Sequence, residues 1–378
     1  MVPTGPQAAS EHTVSGGSGA EGGGDGTYDI VVIGGGPGGY GAALYGAAAG
    51  LSIAVVELDK VGGTCLHRGC VPAKEFLETA SVYRTVSGAS EFGIGEDGGA
   101  KPSVEFGVSQ TRKQKVVDQL FKGLSGLMKG RGIDIVNGTG TLLPDHRVRI
   151  AGNDGSTTEI TGTDIVLASG SLPRTIPGFD VDGTIVMDSD DVLDLDALPG
   201  SVAVVGGGAI GCEFASLFAD LGSKVTVFEA LPSILALCDP DITNVIARSF
   251  RKRGIEVKAG TQLQGHTPDP SGKGTVVLFG DGEKLPVDAV VVSVGRSPST
   301  EGLVAERTGV VVDERGFVVA DELMRTAAPG VWAVGDVVAG TPQLAHVGFA
   351  EAIVVIKSIL GEPVLPVNYD RVPWAIYC

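Results

Sequence analysis

Long apolar runs are missing from this sequence, and so are an excess of basic residues and a dense set of cysteines. No stretch approaches the roughly 18 uninterrupted apolar residues that a bilayer-spanning helix needs. The first 27 residues hold none of the apolar core that a secretory signal requires. With 28 Lys and Arg against 45 Asp and Glu, the formal charge is −17, which repels phosphate backbones and anionic lipid surfaces. No nucleic-acid partner and no membrane partner is therefore expected. Cysteine occurs only at Cys65, Cys70, Cys212, Cys238 and Cys378, too few and too irregularly spaced for a secreted disulfide framework. These absences point to a soluble, cytoplasmic protein in which any disulfide is catalytic.

At 378 residues, a prior of about 100 to 200 residues per domain gives two or three domains. Residues 1–27 include VSGGSGAEGGGDG, which carries too little apolar surface to offset the entropy of ordering and reads as a flexible Gly-rich tail. After it, YDIVVI (28–33) is a short β-branched run followed by Gly34, Gly36 and Gly39 in G-x-G-x-x-G spacing. An Ala-rich helical stretch and a second apolar run ending in Glu57 come next. This is the order and length of a βαβ unit. Gly34 suits the tight turn, Gly36 the close approach of a pyrophosphate, and Gly39 the packing of helix on strand. The helix N-terminus offers N–H groups to phosphate, and Glu57 can accept from ribose hydroxyls.

Alone, such a motif is weak in a chain with 59 glycines. It is strengthened by recurring. Gly206, Gly208, Gly211 and Glu229 repeat Gly34, Gly36, Gly39 and Glu57 at a constant offset of 172, again with an apolar run before the glycines and another ending at the acid. Two dinucleotide sites follow, against the bland alternative of two packed βαβ units without ligands. A carboxylate at Glu229 accepts from a free 2′-hydroxyl and repels a 2′-phosphate, and no arginine follows it in FEALPSIL, so the second site favours NAD over NADP.

Close behind the first unit comes GGTCLHRGCVPAK (62–74), with Cys65 and Cys70 five residues apart. A turn or a distorted first helical turn would let them bridge. His67 alone makes a poor complement for a metal site, so no metal is expected; burial of two unrelated thiols is the plain alternative. As a redox pair, one thiolate would exchange with a substrate disulfide or dithiol and the other with a cofactor. Arg68 and the adjacent helix N-terminus could depress a thiol pKa, and Lys74 is a candidate to stabilise a reduced flavin, with an ordinary surface lysine as the plain alternative.

On these residues the sequence resembles the pyridine nucleotide–disulfide oxidoreductases, and among them the dihydrolipoamide dehydrogenases that carry GGTCLHRGC. The likeness runs from about Tyr28 to Cys378. It implies an α/β fold of two Rossmann-like, three-layer ββα dinucleotide-binding domains, glutathione-reductase-like. Residues 28–172 would form the first part of an FAD-binding domain, 173–294 an NAD-binding domain and 295–362 the return to the FAD side. Residues 363–378 would open an interface domain, with RVPWAIYC similar to its first strand.

The resemblance also implies site residues. Around FAD they are Gly63 and Thr64 of GGTC, Lys74, Gly140 of NGTG, Ser169 and Gly170 of ASGS, and Asp336 of AVGDV on the ribityl chain. Leu344, Ala345 and His346 of QLAH complete that set, His346 as a structural or flavin contact. Around NAD, Glu213 would pair with Lys74, and Gly295 of VGRSP would lie near the nucleotide; Cys212 reads as a small buried helix residue. Cys65 takes the substrate side of a Cys65–Cys70 disulfide and Cys70 the flavin side.

The activity so implied is oxidation of protein-bound dihydrolipoamide with reduction of NAD. Its partners would be a lipoyl-bearing acyltransferase of a 2-oxo acid dehydrogenase complex or the H protein of glycine cleavage. The same resemblance places a dimer contact, and a His–Glu base acting on the partner's disulfide, in an interface domain expected beyond Cys378. The alternatives are a sister reductase of the mercuric or mycothione type, or a chain limited to FAD binding and diaphorase-like dye reduction.

Overall fold

The computed structural model describes residues 26–95, 102–270 and 272–378. All of the expected tail but Gly26 and Thr27 lies outside the described residues.

Strand β1 (Thr27–Ile33) ends in four buried residues, the mark of a central parallel strand covered on both faces. Helix α1 (Pro37–Ala48) follows, with proline tolerated in its first turn, and β2 (Ile53–Glu57) lies parallel to β1. Three helices come next: α2 (Gly63–His67), α3 (Cys70–Ser87) and α4 (Phe106–Gly130). Strand β3 (Asp134–Asn137) then adds outside β2. An antiparallel excursion, β4 (Thr139–Leu142) and β5 (Arg147–Ala151), leads into the long β6 (Thr157–Leu167), which pairs with β5 early and with β1 later. The order across this sheet is β3-β2-β1-β6-β5-β4.

The chain leaves through β7 (Ser171–Pro173) and reaches β8 (Val186–Met187) and α5 (Ser189–Leu193). A second βαβ unit follows as β9 (Ser201–Val205), α6 (Ala209–Asp220) and β10 (Lys224–Glu229), then α7 (Pro240–Lys252) and β11 (Glu256–Ala259). An antiparallel meander of β12 (Leu263–Pro268), β13 (Thr275–Phe279) and β14 (Glu283–Val287) precedes β15 (Ala289–Val292). The five parallel strands are ordered β11-β10-β9-β15-β8. Strand β16 (Arg296–Pro298) then pairs antiparallel with β7, and β17 (Val331–Ala333) rejoins the first sheet beside β6. Helix α8 (Ala345–Ile359) packs on α1. The remaining residues, expected to open an interface domain with a strand, hold one short 3₁₀ turn at Tyr369–Arg371 and no strand.

The two halves meet through α3. Ala73, Phe76 and Ala80 on that helix share one apolar cluster with Phe214, Leu217 and Phe218 of α6. Phe76 and Phe218 are fully buried, and each such ring stabilises the fold by about 2 to 3 kcal/mol relative to an exposed one. The helix that carries Cys70 is thereby fixed against the second sheet.

Candidate active site

The repeat read from the sequence reappears atom by atom. Gly34 and Gly206 both have φ of 105°, a region that favours glycine, and both N–H groups bond the carbonyl of the residue before the acid, at 2.8 Å. A Cβ on Gly39 would fall against the Gly34 carbonyl, and one on Gly211 against that of Gly206, so helix and turn can meet only without side chains there. Gly36 and Gly208 are the N-caps of α1 and α6, neither with a side-chain cap, and neither helix has an acid in its first turn. The amide donors of both N-termini are left without side-chain acceptors, and the flanking Gly34 to Gly38 and Gly206 to Ala209 line one cavity of about 1490 Å³.

The two acids do more than the sequence suggests. Glu57 accepts from Gly35 N–H at 2.7 Å and Asp59 N–H at 2.9 Å, while Glu229 accepts from Gly207 N–H at 2.6 Å and Leu231 N–H at 2.8 Å. Each carboxylate therefore latches its own glycine turn to the loop that follows the strand. Both still line the cavity, and a carboxylate has lone pairs left for a hydroxyl. Gly35 and Gly207, the residues between the fingerprint glycines, were not singled out in the sequence, although their N–H groups donate these bonds.

Cys65 on α2 and Cys70 at the start of α3 form a disulfide with Cα atoms 4.6 Å apart. The chain is not one distorted helical turn here but two helices broken at Arg68 and Gly69. Both cysteines line the cavity, with Gly63, Thr64 and Lys74 beside them. Gly63 also packs on the first turn: a Cβ there would lie 2.6 Å from the Gly36 Cα. Arg68 pairs with Asp59 at 3.1 Å, so part of its charge is already matched. His67 turns Nε2 toward the Val61 carbonyl at 3.0 Å.

Lys74 lies one helical turn after Cys70, on the same face of α3. Its Nζ reaches both oxygens of Glu213 on α6, at 3.0 and 2.8 Å, with the Glu213 side chain almost wholly buried. The Tyr377 N–H donates to Glu213 Oε1 at 3.0 Å, and Lys74 Nζ lies 5.1 Å from the centre of the Tyr377 ring. The last described segment thus closes over this ion pair. Cys212, next to Glu213, is fully buried, and burial pushes its thiol pKa far up, which leaves it a protonated packing residue.

The remaining expected residues divide. Gly140, Ser169, Gly170, Gly295, Asp336, Leu344 and Ala345 line the cavity. Ser169 Oγ donates to the Ser299 carbonyl at 2.6 Å, and Leu344 is the N-cap of α8. His346 is not among the lining residues; its Nε2 faces the Pro373 carbonyl at 3.0 Å, on the side of the final segment. Glu351, unremarked in the sequence, is fully buried beneath the Asp336 turn. It accepts from Gly335 N–H at 2.6 Å and Tyr369 O–H at 2.9 Å, and burial pushes its pKa up to about 7.

A model of the pyridine nucleotide-disulphide oxidoreductase family matches residues 28–352. Relatives include the dihydrolipoyl dehydrogenase of Chlamydia muridarum, 39% identical over 352 residues, covering 93% of this chain and 74% of the relative. One from Bacillus subtilis is 39% identical over 364 residues, covering 93% and 75%. Among solved structures, LpdA from Mycobacterium tuberculosis has a TM-score of 0.83 at 29% identity, covering 90% of this chain and 74% of that one. The HOCl-induced flavoprotein disulfide reductase RclA from Escherichia coli has a TM-score of 0.80 at 30% identity, covering 93% and 75%.

Proposed function

The chain belongs to the pyridine nucleotide-disulphide oxidoreductase family, and on that premise we propose that it oxidises protein-bound dihydrolipoyl groups and reduces NAD, with FAD between them. The observation that carries this is one cavity lined at once by two uncapped glycine turns and by the Cys65–Cys70 disulfide.

The residues present fit both cofactors. Each βαβ turn offers backbone donors to a pyrophosphate and an acid to a ribose, and the absence of a cation after Glu229 suits a ribose without a 2′-phosphate. Gly34, Gly36, Glu57, Thr64, Gly140, Ser169 and Asp336 would hold FAD; Gly206, Gly208, Glu229 and Gly295 would hold NAD. When bound, FAD accepts the electron pair delivered through the dithiol and supplies it as a hydride to NAD.

The protein's own part is exchange chemistry. A dihydrolipoyl thiolate attacks Cys65 and breaks the Cys65–Cys70 bond, and Cys70 leaves as thiolate. The second dihydrolipoyl sulfur then attacks the mixed disulfide and expels Cys65, so the substrate leaves oxidised and the protein pair reduced. Lys74, held by Glu213 one turn from Cys70, would place a positive charge toward the departing Cys70 thiolate and would stabilise a reduced flavin. His67 and His346 bond the carbonyls of Val61 and Pro373 rather than a sulfur. NADH–dye reduction needs no proton acceptor at the disulfide. The ratio of dye reduction to lipoyl turnover therefore reads how far the described residues supply one.

Partners under this proposal are a lipoyl-bearing acyltransferase or H protein and a second copy of the chain, in the cytoplasm. The similarity to RclA, at an identity like that to LpdA, keeps a sister disulfide reductase as the second reading. The test is anaerobic titration with dihydrolipoamide, following flavin absorbance. Cys65→Ser and Cys70→Ser should each lose dithiol-driven reduction by at least a hundredfold while retaining FAD. Undiminished reduction in both would refute the exchange. A higher kcat/KM for other disulfide substrates than for lipoamide would favour the second reading.

A further inference from the structure

We propose that Ser171 and Arg296 are positioning residues that hold Asp336 in the one rotamer with which it meets the FAD ribityl chain. This rests on the assignment of FAD to the cavity. The three residues come from segments far apart in the chain. Ser171 opens β7, where the chain leaves the first sheet; Arg296 opens β16, where it returns; Asp336 sits in the 3₁₀ turn after β17. The antiparallel register Arg296↔Pro173, Ser297↔Leu172, Pro298↔Ser171 sets the two crossing strands side by side.

Their side chains form a directed relay. Arg296 Nε donates to Ser171 Oγ at 2.7 Å, and Arg296 Nη2 donates to the Ser171 carbonyl at 2.6 Å. A hydroxyl that accepts from a guanidinium, which has only donors, must spend its single hydrogen elsewhere. It goes to Asp336 Oδ2, at 2.6 Å. Arg296 Nε is itself 4.0 Å from the same Oδ2. Ser171 is buried, and the Arg296 side chain is only 12% exposed, so the charge acts with little screening by water. Both contacts engage Oδ2, which leaves Oδ1 as the oxygen for the cavity that Asp336 lines. Arg296 also acts electrostatically on Asp190, a half-buried acid of α5. Neither Ser171 nor Arg296 need touch FAD. They act through Asp336.

The experiment uses the full chain, with FAD affinity measured by flavin fluorescence quenching on apoprotein and folding checked by circular dichroism. Asp336→Ala should weaken FAD tenfold or more. Ser171→Ala and Arg296→Met should each weaken it at least fivefold, yet add less than twofold in the Asp336→Ala background, because they have nothing left to position. Ser171→Thr, which keeps the hydroxyl, should restore affinity. Arg296→Lys, which keeps the charge but not the two-pronged geometry, should fall between parent and Arg296→Met. A purely structural role would not couple to Asp336 or be rescued by threonine. If Asp336→Ala leaves FAD affinity unchanged, the FAD assignment itself fails. If Asp336→Ala weakens FAD but Ser171→Ala does not, or if the effects add in full, the positioning role is overturned while the FAD site stands.

Discussion

At the scale of single residues, the charged groups outside the fingerprint motifs carry the most unexpected chemistry. Glu351 is fully buried, and its carboxyl titrates near 7 rather than 4.5 because burial disfavours the charged form. Between those two values the folded chain holds a proton that the unfolded chain has released. The neutral acid's contribution is therefore fully present below about 4.5 and is lost as pH rises through about 7. A shift of this size corresponds to on the order of 3 kcal/mol. Glu351→Gln carries no such titration, so its melting temperature relative to the parent should climb from pH 5 to about pH 7 and level off above it. A difference that stays flat over that range would contradict the assignment. The effect should reach the site, since Glu351 accepts the N–H of Gly335, the neighbour of Asp336.

At the scale of the element, each glycine turn and the acid at the end of the next strand form one part rather than two. Because Glu229 accepts from Gly207 and Leu231, exchanging it would do more than remove the proposed ribose acceptor; it would also unlatch the loop. Leu231 is half exposed and lines the cavity, which makes it the place to add a cation. Glu229→Ala with Leu231→Arg should raise the ratio of kcat/KM for NADPH over NADH at least tenfold. Glu229→Ala alone should raise KM for NADH without a comparable gain for NADPH. Steady-state kinetics with both nucleotides checks this, and an unchanged ratio in the double variant would defeat the ribose assignment. The same latch explains why the acids could be found by spacing while Gly35 and Gly207 could not. A strand-terminal acid 18 residues past a glycine is a sequence pattern; the bond from its carboxylate back to a turn amide is not.

At the scale of the whole molecule, the two sheets are held so that one cavity serves both turns and the disulfide. Part of that clamp is electrostatic: Arg84 crosses from α3 to Asp220, which Arg253 at the end of α7 holds within the second half. Asp220 at the end of α6 takes a two-pronged contact from Arg253, at 3.0 and 2.9 Å, and a third from Arg84 on α3, at 3.2 Å. The Asp220 side chain is 10% exposed and that of Arg253 15%. Asp220→Ala leaves a largely buried guanidinium without its acid and should cost about 3 kcal/mol in urea unfolding. Arg84→Ala, on the exposed arm, should cost less than about 1 kcal/mol. Equal losses in the two variants would mean that the clamp is not organised around the buried pair. Lys113 acts beside it: its buried ammonium donates to the Leu193 carbonyl at 2.8 Å and so ties α4 to α5.

The sequence by itself determined the repeating parts: two strand–glycine–helix–acid units at a fixed offset, and the cysteine pair that follows the first. These were legible because tight turns, helix N-termini and a five-residue disulfide are set by backbone geometry within a few residues. Tertiary structure decided which further side chains support the site. Ser171 meets Arg296 across 125 residues and Asp336 across 165, where Lys74 and Glu213, 139 residues apart, were paired only through the family resemblance. No local period encodes such meetings, which exist only because the chain crosses to the second sheet and back beside its own path. The final segment makes the same point. Its sequence suggested a strand, yet Tyr377 lies over Lys74 and Glu213 without one, because a backbone N–H bonded to a buried carboxylate needs no neighbouring strand.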